Sequence, residues 1–409
     1  MSEIPVLEHL VLSRFRQFRH CDIDLTHPRT GEPLRQICLT GANGTGKSTL
    51  LTQIHRAYRL ASLSESESPV ASVANPGDSL ALFGFRTESG RCHLAVPGES
   101  GPDGSARGRW FGPELESSPE WEALAENPVG YAEFVDRFSD FALGEDNSPP
   151  SFADADTLSW FSPRQFVVNG QPLEGFNSFL AAKRAERQRQ YHEFLQRDEN
   201  RERTVAEVEH EFQQIFPGVL FALDDLWRGT LERNHLRFRP GHEPAFQCLV
   251  TGDEFEFDSL GSGLRRYLLG TAELFSRSFQ QPDSSEILFL ELPESGLHAE
   301  LAAEWMSFHQ TRLAQHPGRL FVETHLEQIS SRLAPEEVFE LRCDPERGVV
   351  CESKGANAGS APASDQTDRP GRGPHMARLE RIKRTIRETD DQDELADLID
   401  EVISFRRHD

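Results

Sequence analysis

One short stretch constrains this chain more than any other: Gly41-Ala42-Asn43-Gly44-Thr45-Gly46-Lys47-Ser48, with Thr49 directly after it. The spacing is GxxxxGK[ST]. Glycines leave no Cβ in the way, so successive backbone N–H groups can curl around phosphate oxygens. Lys47 is placed to neutralise the outer phosphates of a nucleotide, and the Ser48 hydroxyl to ligate Mg2+. Residues 35–40 (RQICLT) read as a short apolar strand running straight into this loop. From Leu50 to Leu63 the spacing is helical, with Leu50, Leu51, Ile54 and Leu60 as apolar positions. A helix there aims the positive end of its dipole at the same anion. Strand, glycine loop and helix in that order are the context a phosphate loop needs, and they set an α/β fold class.

Around this nucleus, residues 7–26 alternate as two strands about a basic turn carrying Arg14, Arg16 and Arg19. Residues 64–118, rich in Ser, Pro and Gly, hold two more strand patterns, SLALFGFR and CHLAVP. Residues 141–156 (FALGEDNSPPSFADAD) read as a flexible insertion. A charged stretch from Phe179 to Phe212 reads as a solvated helix pair, far too short for a long coiled-coil arm. The runs SEILFLEL (285–292) and GRLFVE (318–323) suit the buried centre of a mostly parallel sheet. From Ser353 to Pro374 the composition collapses to that of a linker. An amphipathic helix then spans Arg378 to Phe405, with Leu379, Ile382, Ile386, Leu395, Leu398, Ile399 and Val402 as its apolar positions. The tetrad Gly373-Pro374-His375-Met376 fits native sequence or a cloning scar, so this last helix is either native or appended.

Charge bears on partners. The 43 Lys and Arg against 67 Asp and Glu leave a formal charge of −24. A chain that wraps nucleic acid over a broad face is usually basic, so DNA binding here needs a local patch working against the overall field. Lys183, Arg184, Arg187 and Arg189 are the candidates. The six cysteines are scattered, with no CxxC pair and no His at zinc spacing, which points to a reducing, cytoplasmic setting. No apolar run is long enough to cross a bilayer and no signal-peptide pattern opens at Met1-Ser2-Glu3, so no membrane partner is expected.

Three downstream segments narrow the class. Residues 258–269 (DSLGSGLRRYLL) place a small-residue turn, Gly261-Ser262-Gly263, at the head of an apolar helix. Residues 287–298 (ILFLELPESGLH) are an apolar strand ending in Glu291, followed by Pro293-Glu294 and Leu297-His298. Residues 320–326 (LFVETHL) are a strand that delivers Glu323, Thr324 and His325. With the phosphate loop, these resemble the signature turn, the Walker B segment with its D-loop, and the switch histidine of ABC-type P-loop ATPases. The resemblance is to the AAA-family heads that include RecF and the overcoming-lysogenization-defect (OLD) proteins. It covers most of residues 5–345 in outline, carried by these few blocks.

The resemblance implies an ATPase head with a mostly parallel central sheet, an N-terminal antiparallel β element and a helical lobe. It divides the chain into lobe I at 1–168 and 281–352, a helical lobe with the signature turn at 169–280, a linker at 353–376 and a C-terminal helix at 377–409. ATP is then held by Gly41, Ala42, Asn43, Gly44, Thr45, Gly46, Lys47, Ser48 and Thr49, and capped by Ser262 and Gly263 of a second copy. Mg2+ falls to Ser48, Glu291 and Gln165, and the catalytic set is Glu291, Glu294, Glu323 and His325. Two departures matter. The hydroxyl of the signature turn is at Ser262, with Gly261 where Ser is usual. Where most of the family has the Glu that polarises the attacking water, this chain has Leu292, which can neither accept a proton nor orient water. Glu323, on the strand expected beside the Walker B strand, or Glu294, is left to supply that carboxylate, and hydrolysis is expected to be slow.

Together these residues imply an ATPase that binds Mg–ATP and forms an ATP-sandwiched homodimer or higher oligomer. The stretch after His325, much of it linker-like, leaves no room for an acid-rich nuclease domain. An effector, toxin or nuclease, is therefore expected on another chain, with this one as sensor or scaffold in bacterial anti-phage defence. Two alternatives stay open: a RecF-like repair or recombination ATPase with nucleic acid as partner, and a nucleotide-dependent structural switch with little or no hydrolysis.

Overall fold

The computed structural model describes residues 6–62, 79–87, 90–97, 108–126, 129–143, 158–162, 166–168, 171–172, 175–197, 200, 203–215, 219–240, 244–280, 286–315 and 318–355. Contacts divide the chain into two compact units, Met1–Gly359 and Ser360–Asp409. The second unit, with the expected helix at 377–409, lies outside the described residues, as do Gln165 and most of the 141–156 insertion.

Alternating apolar residues build the hairpin β1 (Val6–Phe15) and β2 (Phe18–Asp24). β3 (Gln36–Gly41) leads into the glycine loop and α1 (Lys47–Ser62) leaves it. The helix begins ahead of its apolar stripe because Gly46 O already takes the Leu50 amide at 2.8 Å. β4 (Leu80–Thr87), β5 (Gly90–Pro97) and β6 (Arg109–Phe111) come next, then α2 (Pro119–Glu126) and α3 (Tyr131–Arg137). After them lie β7 (Leu158–Phe161), β8 (Phe166–Val168) and β9 (Gln171–Pro172). A largely helical region holds α4 (Phe176–Leu195), α5 (Val205–Ile215), α6 (Val219–Arg233), the strands β10 (Leu236–Arg239), β11 (Ala245–Cys248) and β12 (Glu254–Phe255), and α7 (Ser262–Gln280). The chain returns through β13 (Glu286–Glu291), α8 (Ala299–Gln315), β14 (Gly318–Glu323), α9 (Glu327–Ser330), β15 (Val338–Asp344) and β16 (Gly348–Ser353).

Among the described residues thirteen strands form one mixed sheet in the order β6-β5-β4-β1-β2-β16-β15-β3-β14-β13-β7-β8-β9, and β10-β11-β12 form a second. Among the described residues parallel pairing is confined to β15, β3, β14, β13 and β7. The expectation of a mostly parallel sheet is thus corrected: it holds for the centre, whereas the described strands on both sides pair antiparallel. The reason is connectivity. Strands joined by short turns, such as β1 to β2 and β4 to β5, can only run back on themselves, while parallel neighbours need a crossover such as α8 between β13 and β14. The N-terminal antiparallel element continues this same sheet.

The central strands are buried on both faces. Along β13, Ile287 and Phe289 join a core with Leu50, Leu51 and Ile54 of α1. The alternate residues Leu288 and Leu290 join a core with Leu268, Ala272, Trp305 and Met306 of α7 and α8. Side chains a residue apart point to opposite faces of a strand, so an unbroken apolar run is what this two-sided burial requires. Deep in the second core, Arg312 of α8 pairs with Glu286 at the start of β13, at 2.5 Å and buried. The paired carboxylate is what lets that cation sit out of water.

Candidate nucleotide site

Parallel strands that end together create the site. Leu39 of β3 and Glu291 of β13 are both in register with Glu323 of β14, so the glycine loop, Leu292 and Thr324 leave one edge of the sheet side by side. In open α/β sheets that carboxyl edge is where ligands collect.

The loop's glycines have distinct reasons. Gly41 has φ 137°, and a Cβ there would collide with the carbonyl of Leu341 on β15. Gly46 has φ 91°, and a Cβ there would strike the Gln17 amide and the Phe18 ring, so the β1–β2 turn roofs the loop. Thr45 ties the loop to itself, its hydroxyl donating to Ala42 O at 2.9 Å. Ala42, Asn43 and Gly44 are exposed. The Lys47 ammonium folds back and donates to Gly41 O at 3.1 Å and Ala42 O at 2.9 Å. Burial lowers the Lys47 pKa, with Glu323 and Glu294 pulling the other way.

The acidic residues separate into different tasks. Ser48 Oγ donates to Glu323 Oε1 at 2.7 Å, while Glu323 Oε2 is buried with no hydrogen-bond partner among the described residues. Burial raises the Glu323 pKa; the Ser48 hydrogen bond opposes this, Glu291 reinforces it, Lys47 lowers it and Glu294 raises it. Glu294 is engaged at both oxygens: Oε2 accepts the Thr324 hydroxyl at 3.0 Å and Oε1 the His325 amide at 2.8 Å. Glu291 ends its strand beside Glu323. Leu292 comes next at φ 46°, its amide donating to Glu323 O at 2.9 Å. The His325 side chain is exposed at this edge.

Ser262 and Gly263 start α7 on the far side of the turn after β13, where a Cβ on Gly263 would collide with Gly296 O. Two residues are not marked by any motif in the sequence: Gln17 against Gly46, and Arg266, whose guanidinium donates to the carbonyls of Glu291, Leu292 and Ser295. Only the paired arginines after the small-residue turn offered a signal for the last of these.

The residues present fit a divalent cation. The Ser48 hydroxyl at the foot of the glycine loop and the Glu291 carboxylate, which ends β13 in register with Glu323, are hard-oxygen donors. Among the described residues no group of three His, Cys, Asp or Glu side chains could hold a metal ion. A cation here would therefore complete its ligands from phosphate and water. Among the described residues no helix is long and apolar enough to cross a membrane.

No family model matches the chain, and no curated protein matches it. Solved structures similar to it include an Smc head bound to the C-winged helix domain of ScpA, at 13% identity and a TM-score of 0.43 over 87% of this chain and 100% of that one. A second is the SMC head domain from Thermotoga maritima, at 14% identity and a TM-score of 0.39 over 85% and 98%. A third is an Smc head with an extended coiled coil, bound to the C-terminal domain of ScpA, derived from Pyrococcus furiosus, at 13% identity and a TM-score of 0.44 over 87% and 98%. Likeness this loose transfers neither topology nor function.

Proposed function

We propose that this chain is an ATPase that binds Mg–ATP on the loop Gly41–Thr49 and associates with a second copy through the bound nucleotide. The observation that carries it is the Ser48–Glu323 contact, 2.7 Å, at the foot of a glycine loop that opens a 16-residue helix. The loop amides and the helix N-terminus supply the positive pole for a triphosphate. Lys47, now lying on its own loop carbonyls, is the cation that would turn to the outer phosphates. Ser48 and Glu291 would hold Mg2+, whose chemistry when bound is to offset charge between the outer phosphates.

The missing carboxylate at Leu292 falls to Glu323. Glu294 already accepts from Thr324 and His325 and serves to orient that segment. Glu323 has an oxygen to spare and a raised pKa, which brings it toward the range of a general base. Turnover is slow in this reading, because the group sits on the neighbouring strand. The structural-switch alternative, with little or no hydrolysis, draws on the same Leu292 and differs only in rate.

The wider role, a sensor or scaffold for an effector on a separate chain in anti-phage defence, is supported only by the resemblance of the ELPESGLH and ETH segments to stand-alone bacterial ATPases. The DNA-repair alternative gains little from α4. Lys183 lies 3.5 Å from Glu186, and Arg187 covers the Phe212 ring at 5.2 Å.

The test is light scattering with and without Mg–ATP, with Lys47→Ala as control. The mass of the wild type is expected to double with nucleotide and that of the variant to stay put. An unchanged wild-type mass at saturating nucleotide sinks the association, and no binding of a fluorescent ATP analogue sinks the whole proposal.

A further inference from the structure

Arg266 lies in the first turns of α7 and is 8% exposed. Its guanidinium is occupied by three carbonyls of a single turn: Nη2 donates to Glu291 O at 2.9 Å, and Nη1 to Leu292 O at 3.1 Å and Ser295 O at 3.2 Å. Its Cζ stands 5.4 Å from the centre of the Trp305 ring, so α8 fixes the plane of the group from another side. A planar fork with several fixed donors can span three such acceptors, whereas a lysine ammonium is a point donor on a flexible stem.

The turn held in this way needs holding. Leu292 has φ 46°. That left-handed conformation is strained for a residue with a Cβ. The turn is closed by Ser295 N–H on Leu292 O and Leu297 N–H on Glu294 O, each at 2.9 Å. It meets α7 a second time at Gly263 against Gly296. At its other side Glu294 grips Thr324 and His325. An unbroken line of contacts thus runs from Ser262–Gly263, through Gly296 and Arg266, to Glu294 and the edge that carries the phosphate loop.

We propose that Arg266 is a positioning residue that locks the head of α7 to the 292–297 turn, so that the face offered to a second copy's ATP is set by the nucleotide site of the copy that carries it. The inference rests on the reading of the chain as an ATP-sandwiched dimer. Within such a dimer the two sites are not independent. A nucleotide felt at His325 and Glu294 orders the turn, and the turn orders the Gly261–Gly263 segment that caps the other nucleotide. Coupling of binding sites is reciprocal, so it shows as positive cooperativity in ATP.

The experiment compares the full chain with Arg266→Lys and Arg266→Gln. Three quantities are read: analogue binding by dilute single copies, the ATP-dependent dimer dissociation constant by mass measurement, and the Hill coefficient of dimer formation in ATP. Both variants are expected to bind the analogue as the wild type does. Their dimer constant should weaken about tenfold, within the range usual for site coupling, and the Hill coefficient should fall below the wild-type value. If Arg266→Gln fails to fold, Arg266→Lys decides alone. A merely structural arginine would lower the melting temperature and leave the dimer constant and Hill coefficient untouched, and that result overturns the inference. Wild-type protein that binds ATP without dimerising overturns the parent reading instead, and this inference with it.

Discussion

Glu323→Gln isolates what the buried carboxylate does, because glutamine keeps its shape and an acceptor for Ser48. In the wild type Glu323 is 2% exposed, with one oxygen on Ser48 at 2.7 Å and the other without a partner among the described residues. Burial holds its pKa above the ordinary carboxylate value. The folded state therefore binds that proton more tightly than the unfolded chain does. The stability this contributes is present at low pH and is lost as pH rises from the unfolded to the folded pKa, so at neutral pH the ionised group is a cost to the nucleotide-free fold. Glutamine lifts that cost. Against it, a charge-assisted hydrogen bond from Ser48 becomes a neutral one, a loss of about 1 kcal/mol. The two effects oppose one another, and nucleotide-free Glu323→Gln should melt no lower than the wild type. Turnover behaves differently. Removing a general base typically lowers a rate by about 10²–10⁴-fold, equivalent to about 3–5 kcal/mol in the barrier. The assay is steady-state phosphate release at saturating Mg–ATP, run beside Glu291→Gln, Glu294→Gln and Lys47→Ala. A wild-type rate in Glu323→Gln, with Glu291→Gln inactive, would show that the acid ending β13 does the chemistry and refute the assignment. A marked fall in the melting temperature of the nucleotide-free variant would refute the burial argument separately.

Lys47→Ala should lose the thermal stabilisation that Mg–ATP confers, about 2.7 kcal/mol at a hundredfold excess over the dissociation constant; differential scanning with and without nucleotide measures it. Gly263→Ala drives a Cβ into the backbone of Gly296 and should cost about 1–3 kcal/mol in urea unfolding, whereas Gly44→Ala, with open space at its Cβ, pays only for its φ of 82°. His309 is fully buried, with neither ring nitrogen partnered among the described residues, and burial followed by Arg312 lowers its pKa to about 3. The unfolded chain takes that proton near pH 6.5 and the folded chain only near 3, so stability falls as pH drops through this window. His309→Leu should remove its share of the slope, at most about 1.4 kcal/mol per pH unit, and unfolding curves between pH 7 and pH 5 that keep the wild-type slope would contradict this.

Much of the site was legible because its parts are local. GxxxxGK[ST] between an apolar strand and a helical stripe has one sensible backbone path, and the strand, loop and helix lie where that path puts them. The apolar runs ending in Glu291 and Glu323 are strands buried on both faces. What an apolar run does not encode is the direction of its neighbours, since two-sided burial looks alike in parallel and antiparallel company. That is why the parallel centre was foreseen and the extent of antiparallel pairing around it was not.

The chain's own order of residues determined that a glycine loop joins a strand to a helix, that strands ending in Glu291 and Glu323 lead to Glu294 and His325, and that the expected water-orienting position holds a leucine. Composition and spacing suffice for this because each feature is set within a few residues of backbone. Tertiary structure alone decided how the acids divide their work. Glu323 reaches Ser48 across a separation of 275 residues, and Glu294 reaches the His325 amide across 31. Arg266 finds its three carbonyls only once α7 lies against the turn after β13. Hydrogen bonds act over about 3 Å, and which groups come that close is set by the register of β13 on β14 and the packing of α7, properties of the assembled sheet and not of any one segment.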